Sequence, residues 1–189
     1  MPSAPILCLG AKWRSEDVYW HSAPVNAQLD GVPRKNVTAP VVNFSAQSGI
    51  YILYSDHIPI YVGQANKTLF ARLKTHHLTD DLAGRWNTFT WLGLRRVIGN
   101  KKPRLSMPGT NFSISTKQLL DHFEAAMIHA FEPPLNGQEG RFGDVVTRYK
   151  QVRDIRLGPT DRELLEGMAL AGKLVPVGKK ITKSGWKNI

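Results

Sequence analysis

Five side chains are of the types that do acid–base chemistry and bind anions: Tyr51, Tyr61, Arg72, His76 and Glu124. A phenol, with an ordinary pKa near ~10, can act as a base where positive charge lowers that pKa. A guanidinium binds an anion as a fixed fork, and an imidazole accepts or relays a proton near neutral pH. A carboxylate can hold a metal ion. These groups act jointly only if the fold brings them to one place.

Both tyrosines belong to a predicted β-hairpin. Residues 50–54 and 58–62 are rich in β-branched and aromatic residues, and turn-forming residues lie between them. A three-residue loop over 55–57 pairs Tyr51 with Tyr61 and places the two phenols side by side. A two-residue loop places them on opposite faces of the hairpin, because a shift of one residue turns every side chain over.

The guanidinium and the imidazole belong to a predicted helix over residues 68–78, with Asn66 as its cap. Arg72 and His76 are four residues apart and therefore share one face of this helix. Taken alone, such a basic face is more often a solvated surface than a site.

A second helix is predicted to run to Phe131, opened by a capping box of Ser115 with Gln118. Its predicted buried stripe consists of Leu120, Phe123, Met127 and Ala130. Glu124 lies at the border of that stripe. A carboxylate beside an apolar face is costly unless it is paired or bound to a metal. Glu124 is therefore predicted to form a salt bridge or to bind a metal ion.

In this order the residues resemble the GIY-YIG endonuclease superfamily. The matching residues are Gly49-Ile50-Tyr51, Tyr61-Val62-Gly63, Arg72, His76, Glu124 and Asn136, within residues 47–138. Either triplet alone is a weak signal, whereas the ordered set is a strong one. The resemblance implies an endonuclease that hydrolyses phosphodiester bonds in DNA with the help of a divalent metal ion.

The resemblance also implies a role for each residue. Glu124 would bind one Mg²⁺ (or Mn²⁺), which keeps several waters, and Arg72 would bind the scissile phosphate. Either tyrosine could face the attacking water, with His76 accepting or relaying the proton, and that choice stays open. His77 is expected at the surface. Asn136 would tie loops to the site, and Gly49 and Gly63 would have structural roles.

Two positions depart from the family pattern. Arg72 lies one residue further from Tyr61 than is usual in the family, and Gln64 stands where many members have a lysine. Lys67 or Lys74 could take the place of that lysine.

The net charge of +10 favours a polyanionic partner, DNA first and RNA not excluded. Residues 82–120 contain no acidic residue but seven basic ones, and residues 99–112 are expected to form a basic flap over the substrate. A solvated face would usually mix the two signs. The predicted nucleic-acid contacts are Lys67, Lys74, Arg95, Arg96, Lys101, Lys102, Arg104, Lys179 and Lys180.

Cys8 is the only cysteine, which excludes a disulfide framework and a cysteine-based zinc site. No apolar run approaches the length that spans a membrane. We therefore expect a cytoplasmic protein with no membrane partner. A restriction role would need two cuts and hence favours a dimer, but no dimer surface can be identified.

The predicted class is α+β, with a small, mainly antiparallel three-stranded sheet flanked by helices and a third strand within residues 88–98. Residues 1–46 are expected to pack on the core as an extension, residues 47–140 to form the nuclease-like core, and residues 141–189 to form a basic extension able to contact DNA. Thr160 with Glu163 predicts a helix in the last part. The alternative function is a basic nucleic-acid-binding protein on a nuclease scaffold that no longer cuts.

Overall fold

The computed structural model describes residues 5–107, 116–131, 146–170, 179–182 and 185–188. The strands are β1 (Cys8–Arg14), β2 (Asp30–Pro33), β3 (Val42–Asn43), β4 (Gly49–Ser55), β5 (Ile58–Ala65), β6 (Thr88–Gly93), β7 (Val97–Ile98), β8 (Arg104–Leu105), β9 (Thr147–Gln151), β10 (Lys179–Thr182) and β11 (Gly185–Asn188). The helices are α1 (Leu69–Leu78), α2 (Thr116–Phe131) and α3 (Asp161–Leu170). The chain divides into two units, Met1–Asp154 and Ile155–Ile189.

The first unit is built on a seven-stranded mixed sheet in the order β3-β2-β9-β1-β6-β4-β5. The α+β class is confirmed, but the predicted three-stranded sheet is wrong. Its three strands, β6, β4 and β5, form one side of the larger sheet, and residues 8–43 add three more strands to it. The parallel pair is β1 with β9. The sequence gives a weak signal for β1 because a register shift between Gly10 and Trp13 interrupts its alternation.

Both faces of this sheet are covered. The first face carries Tyr51 and Leu53 and packs against α1 through Leu69, Phe70 and Leu73. The second face carries Ile52, Tyr54 and Leu92 and packs against α2 through Ala125 and Ala130. Because successive strand residues point to opposite faces, the run of four buried residues from Tyr51 to Tyr54 fits a strand covered on both sides.

Of the two loop lengths that the sequence left open, the hairpin of β4 and β5 has the two-residue loop. Ser55 pairs with Ile58, which leaves residues 56 and 57 between the strands. Asp56 adopts a positive φ of 54°, a conformation that aspartate tolerates better than most residues. The side chains of Asp56 and Asn87 are joined by a hydrogen bond of 2.7 Å, which holds this turn.

A β-bulge at Ile60 keeps both tyrosines on the first face. Tyr61 pairs with Leu53, and Tyr51 pairs with Gly63 instead of with Tyr61. The bulge adds one residue to β5 and so reverses the one-residue shift that a two-residue loop would cause. The two phenols are therefore diagonal neighbours, with ring centroids 6.2 Å apart.

The helix α1 covers nearly the predicted residues, but its N-terminus is capped differently from the prediction. The residue before it is Thr68, which makes no side-chain capping bond, so the prediction of Asn66 as the cap is wrong. The first N–H groups of α1 are satisfied by the segment before β4 instead. Leu69 donates to the carbonyl of Gln47 (2.8 Å) and Phe70 to that of Ser45 (3.1 Å), as the unpaired donors of a helix start require.

The helix α2 faces the sheet with small side chains. Ala125 and Ala130 are buried, whereas Phe123 and Met127 are each 58% exposed. The prediction that Phe123 and Met127 belong to a buried stripe is therefore wrong. Alanines let the helix approach the sheet closely, and helical spacing alone cannot distinguish a stripe of alanines from a neighbouring stripe of larger apolar residues. The side chain of Leu120 lies outside the described residues.

The predicted loop over residues 99–112 is partly a strand. Within it, Arg104 pairs with Ile98 and Leu105 with Val97, so β7 and β8 form a two-stranded ribbon (residues 96–105, called the ribbon below). Residues 108–112 lie outside the described residues.

The second unit contains the predicted capping box. The Thr160 N–H donates to the Glu163 carboxylate (2.7 Å) and the Glu163 N–H to the Thr160 hydroxyl (3.3 Å), at the start of α3. The strands β10 and β11 pair as a hairpin. Within the described parts of the chain, no helix has the length and hydropathy needed to cross a membrane.

Candidate functional site

The first face of the sheet carries a row of hydrogen-bonded side chains. The Tyr51 hydroxyl lies 2.6 Å from Nε2 of His76, and Nδ1 of His76 lies 2.5 Å from a carboxylate oxygen of Asp80. An ionised carboxylate can only accept hydrogen bonds, so Nδ1 of His76 carries a hydrogen. In a neutral imidazole, Nε2 is then the acceptor for the phenol. The row has a direction in which Tyr51 donates to His76 and His76 donates to Asp80.

The position of this row follows from the packing of α1. His76 is one turn beyond Leu73, which packs on the sheet, so its imidazole faces the sheet and is 3% exposed. Asp80 lies just past the end of the helix, and its N–H donates to the carbonyl of Thr75 (3.2 Å). The indole N–H of Trp86 donates to the carbonyl of His76 (3.1 Å). Both His76 and Asp80 are thus held by hydrogen bonds to the backbone around the last turn of α1.

Tyr61 and Arg72 form the solvent-facing side of the same cluster. The half-buried ring of Tyr61 lies 5.0 Å from the ring of His76 and 6.2 Å from that of Tyr51. Arg72 is exposed and interacts with both phenols. The pKa of the Arg72 guanidinium is raised. The largest causes are its charge interaction and hydrogen bond with Tyr51, followed by the same interactions with Tyr61.

The pKa of Tyr51 is raised above its ordinary value. Burial of the phenol is the main cause, and the Arg72 guanidinium opposes it by its charge and hydrogen bond. A tyrosine that acts as a base on its own needs a lowered pKa, and the charge of Arg72 is not enough to bring the pKa of Tyr51 below its ordinary value. Tyr51 therefore keeps its proton at neutral pH in the resting protein, and an acceptor such as His76 is needed to remove it.

Asp80 is a member of the cluster that the sequence did not predict. Burial alone raises its pKa, but the N–H of Leu82, the imidazole of His76 and the charge of Arg72 outweigh that effect and lower it. The carboxylate is therefore ionised at neutral pH and can orient the imidazole. The available signal was the acidic side chain four residues after His76, a spacing that joins neighbouring turns of a helix.

Two glycines allow the close approach of backbone and side chains around Tyr51. A Cβ atom at Gly63 would overlap the hydroxyl of Tyr51, because the phenol lies directly over that position of β5. At Gly49 the backbone has a φ of 151°, and a Cβ atom would overlap the carbonyl oxygen of Leu92. Both positions therefore need glycine for steric reasons.

Glu124 lies apart from this cluster. It is exposed on α2, which packs on the second face of the sheet, whereas Tyr51, Tyr61 and His76 lie on the first. No hydrogen bond or ion pair joins Glu124 to another residue of the described part of the chain. α2 contacts β5, the strand that carries Tyr61, from the side of the second face.

The remaining predicted groups have varied surroundings. Asn136 lies outside the described residues. His77 is not a free surface residue, because its ring stacks on Trp20 with centroids 4.9 Å apart and also contacts Trp86. Burial, and then the charge of His21, lower the pKa of His77. His77 points into this aromatic group, and among the two histidines His76 is the one in the cluster.

Two of the basic residues predicted to contact nucleic acid form structural hydrogen bonds. The Lys74 ammonium donates to the carbonyl of Ser22 (2.9 Å). The Arg95 guanidinium donates to the carbonyls of Ser106 (2.5 Å) and Ala46 (2.6 Å). The exposed members of the set are Lys67, Arg96, Lys101, Lys102 and Arg104, and the remaining two, Lys179 and Lys180, lie in β10.

The donor chemistry of the described residues fits a lightly coordinated cation at most. They contain no group of three or more histidine, cysteine, aspartate or glutamate side chains able to hold a metal ion. Mg²⁺ can be held by one carboxylate with waters and phosphate oxygens completing its shell. Glu124, exposed and without a described partner, is such a carboxylate.

A cavity of about 310 Å³ lies on another side of α1, between that helix and the N-terminal segment. Its lining includes Pro24, Ala27, Phe70 and Lys74 but no residue of the tyrosine–histidine cluster. The cavity is therefore separate from the cluster, whose solvent-facing members are Tyr61 and Arg72.

Comparison of the chain with protein-family models, with curated proteins and with solved structures finds no match.

Proposed function

We propose that this protein is a divalent-metal-dependent endonuclease that hydrolyses phosphodiester bonds in DNA. The observation that carries the proposal is the row from Tyr51 through His76 to Asp80, with Tyr61 and Arg72 beside it at the surface. Hydrolysis needs a group that takes a proton from water and a cation that binds the phosphate. The cluster contains both within one side of the sheet. The net charge of +10 adds support for a polyanionic substrate.

Exposure favours Tyr61 as the phenol that faces the water. The side chain of Tyr51 is fully buried, whereas that of Tyr61 is half-buried and next to the exposed Arg72. In the proposed step, Tyr61 takes a proton from the attacking water as its own hydroxyl proton passes to Tyr51. Tyr51 in turn passes its proton to Nε2 of His76, and the charge of Asp80 stabilises the imidazolium that forms.

Arg72 would bind a non-bridging oxygen of the scissile phosphate. Its guanidinium is exposed and lies beside both phenols, so a phosphate bound there would be next to the water that Tyr61 activates. A guanidinium presents several N–H donors in a fixed plane, which positions the phosphate as well as neutralising it.

Glu124 would hold the metal ion. When bound, Mg²⁺ (or Mn²⁺) would neutralise charge on the phosphate and on the departing oxygen. The support for this role is the resemblance of the ordered residues to GIY-YIG enzymes together with the exposure of Glu124, which has no partner among the residues that the structure describes.

The test is incubation of the purified protein with matched duplex, single-stranded and branched DNA, and with RNA, in Mg²⁺ or in EDTA. We expect Mg²⁺-dependent cleavage of DNA by the wild type and none by the Arg72→Ala or Glu124→Ala variants. Lys35→Ala, which removes an exposed charge outside the cluster and outside the predicted nucleic-acid contacts, serves as the control. Cleavage by the Glu124→Ala variant at the wild-type rate would contradict the metal role, and absence of any cleavage would contradict the enzyme.

The position of Glu124 favours a second candidate function. Because α2 packs on the second face of the sheet, the carboxylate does not contact the tyrosines or Arg72. A chain whose metal ligand is displaced from its phenols would bind nucleic acid through its basic surface without cutting it. Tight binding of DNA by the wild type, with no Mg²⁺-dependent product, would support this candidate.

A further inference from the structure

The ribbon carries an uncompensated positive charge at its tip. Lys101 and Lys102 lie in its turn, Arg104 begins β8, and all three side chains are exposed. No acidic residue occurs between Asp81 and Asp121 in the sequence. A solvated surface would usually carry both signs, so this element presents a concentration of one charge.

The base of the ribbon is fixed to the sheet. Arg95 donates from its backbone N–H to the Gln47 side chain (3.0 Å), and its carbonyl accepts from the Gln47 amide (3.0 Å). Its guanidinium binds the carbonyls of Ala46 and Ser106. Val97 and Leu105 pack against the hydrophobic core on the first face of the sheet. A two-stranded ribbon alone is marginally stable, so these anchors are what hold it in one orientation.

The same anchor joins the ribbon to the proposed catalytic elements. Gln47, which is 1% exposed, holds Arg95 by its side chain and accepts the first N–H of α1 with its carbonyl (2.8 Å). Two residues further on, β4 begins at Gly49, which pairs with Gly93 at the end of β6, and Tyr51 follows. The ribbon is therefore tied to β4 and α1, two of the three elements that carry the tyrosine–histidine cluster.

We propose that the ribbon lies in a groove of duplex DNA and that Lys101, Lys102 and Arg104 contact the phosphates that border it. This inference rests on the proposed function and specifies how the same site receives its substrate. The major groove, about 12 Å wide, admits a two-stranded β-ribbon, whose strands lie ~4.8 Å apart. Exposed lysines bind phosphates as mobile point charges, and arginine can bind them in a bidentate manner.

The first test compares binding of a duplex of about 20 base pairs over a range of salt concentrations in EDTA, where no cleavage competes. Each lost phosphate contact lowers the salt slope by ~0.9. We expect the Lys101→Ala/Lys102→Ala double variant to have a slope lower by about 2 and roughly tenfold weaker binding at low salt.

The matched control removes the same charge elsewhere. Arg85 and Lys150 are exposed and lie toward the end of the sheet where Arg14 pairs with Thr88, away from Gly93. Arg85→Ala/Lys150→Ala should keep the wild-type slope within about half a unit. Equal slopes for the two double variants would overturn the ribbon contact, and so would a wild type that binds no duplex.

A second test locates the tip of the ribbon on the duplex. Cys8 is 1% exposed and burial raises its pKa to about 12, so a cysteine introduced at the surface is the reactive thiol. Lys101→Cys carrying a photo-crosslinker should attach to duplex DNA at high yield, and Arg85→Cys should not. Equal yields would overturn the placement. Cleavage by the unlabelled wild type, measured separately, decides the nuclease proposal whatever the crosslinks show.

Discussion

At the scale of single residues, the site depends on hydrogen bonds that give one imidazole a defined tautomer. Asp80 accepts from Nδ1 of His76, which leaves Nε2 for the hydroxyl of Tyr51. Without the carboxylate, either ring nitrogen could carry the hydrogen, and the form that accepts from Tyr51 would be only one of two. In the proposed reaction Asp80 is thus a positioning residue, since it would act through the imidazole that it contacts.

Asp80→Asn tests this role. The amide is the same size but lacks the charge that stabilises an imidazolium, so we expect the cleavage rate to fall by about 10²-fold with duplex binding unchanged. Asp81→Asn, an exposed carboxylate one residue away, should keep the wild-type rate. If both variants cleave at equal rates, Asp80 has no part in the proton path.

The raised pKa of Tyr51 predicts how its phenol titrates. Burial disfavours the phenolate and Arg72 favours it, so removal of Arg72 leaves burial unopposed and raises the pKa further. The phenolate absorbance that is lost in Tyr51→Phe should therefore develop above pH ~10 in the wild type, and at still higher pH in an Arg72→Ala background. A shift to lower pH in that background would contradict the placement of Arg72 beside Tyr51.

At the scale of the elements, β5 must leave room for a side chain of β4. The hydroxyl of Tyr51 occupies the space that a Cβ atom at Gly63 would fill. The phenol can reach His76 because β5, over which it lies, has no side chain at that position.

Gly63→Ala should therefore damage the site more than the fold. We expect a loss of stability of ~1–3 kcal/mol from overpacking, and a loss of cleavage similar to that of Tyr51→Phe because the 2.6 Å bond to His76 is displaced. Denaturant unfolding and cleavage rates measure the two effects. Gly167→Ala in α3, where a Cβ atom meets nothing within 4 Å, should be neutral or slightly stabilising.

The elements also show what the sequence could predict. The strands β4 to β6, the extent of α1 and the capping box of α3 have clear periodic or capping signals, and the structure contains them. The short strand β3 has only two residues, too few for a period. The exposure of Phe123 depends on which neighbouring stripe meets the sheet, and the bulge at Ile60 depends on tertiary packing. None of these three properties can be predicted from the local sequence.

The part of the site on the first face was predictable for a related reason. Tyr51, Tyr61, Arg72 and His76 lie on adjacent elements, so their spacing along the chain constrains their spacing in the fold. Glu124 is on a helix that meets the sheet from its other face, and spacing along the chain says little about such an arrangement.

At the scale of the whole molecule, the segment before residue 47 is part of the core. The indole of Trp13 contacts that of Trp91 with centroids 5.3 Å apart, and Phe44 contacts the same indole at 4.6 Å. The strand β1 lies between β6 and β9 near the middle of the sheet. The boundary expected at residue 47 therefore passes through one hydrophobic core, and the first unit runs from the N-terminus to Asp154.

A fragment of residues 47–140 should therefore fail to fold. It would expose the edge of β6 and the aromatic residues that Trp13 and Phe44 cover. The free energy lost with these core contacts exceeds the free energy of unfolding of a typical domain. Circular dichroism with thermal melting should show no cooperative transition for the fragment and a cooperative one for the full chain. Cooperative unfolding of the fragment would instead identify it as an autonomous core.

The bulge in β5 also bears on how the turn of such a hairpin can change during evolution. One residue gained in the turn can be offset by loss of the bulge at Ile60, and the two phenols would still project from the same side of the sheet. Insertions and deletions of single residues are thus tolerated in pairs that are separated along the chain. Because the gain and the loss cancel, the number of residues between Tyr51 and Tyr61 stays the same, so a search pattern with a fixed gap between them would also retain homologues whose turn and bulge differ from those of this chain.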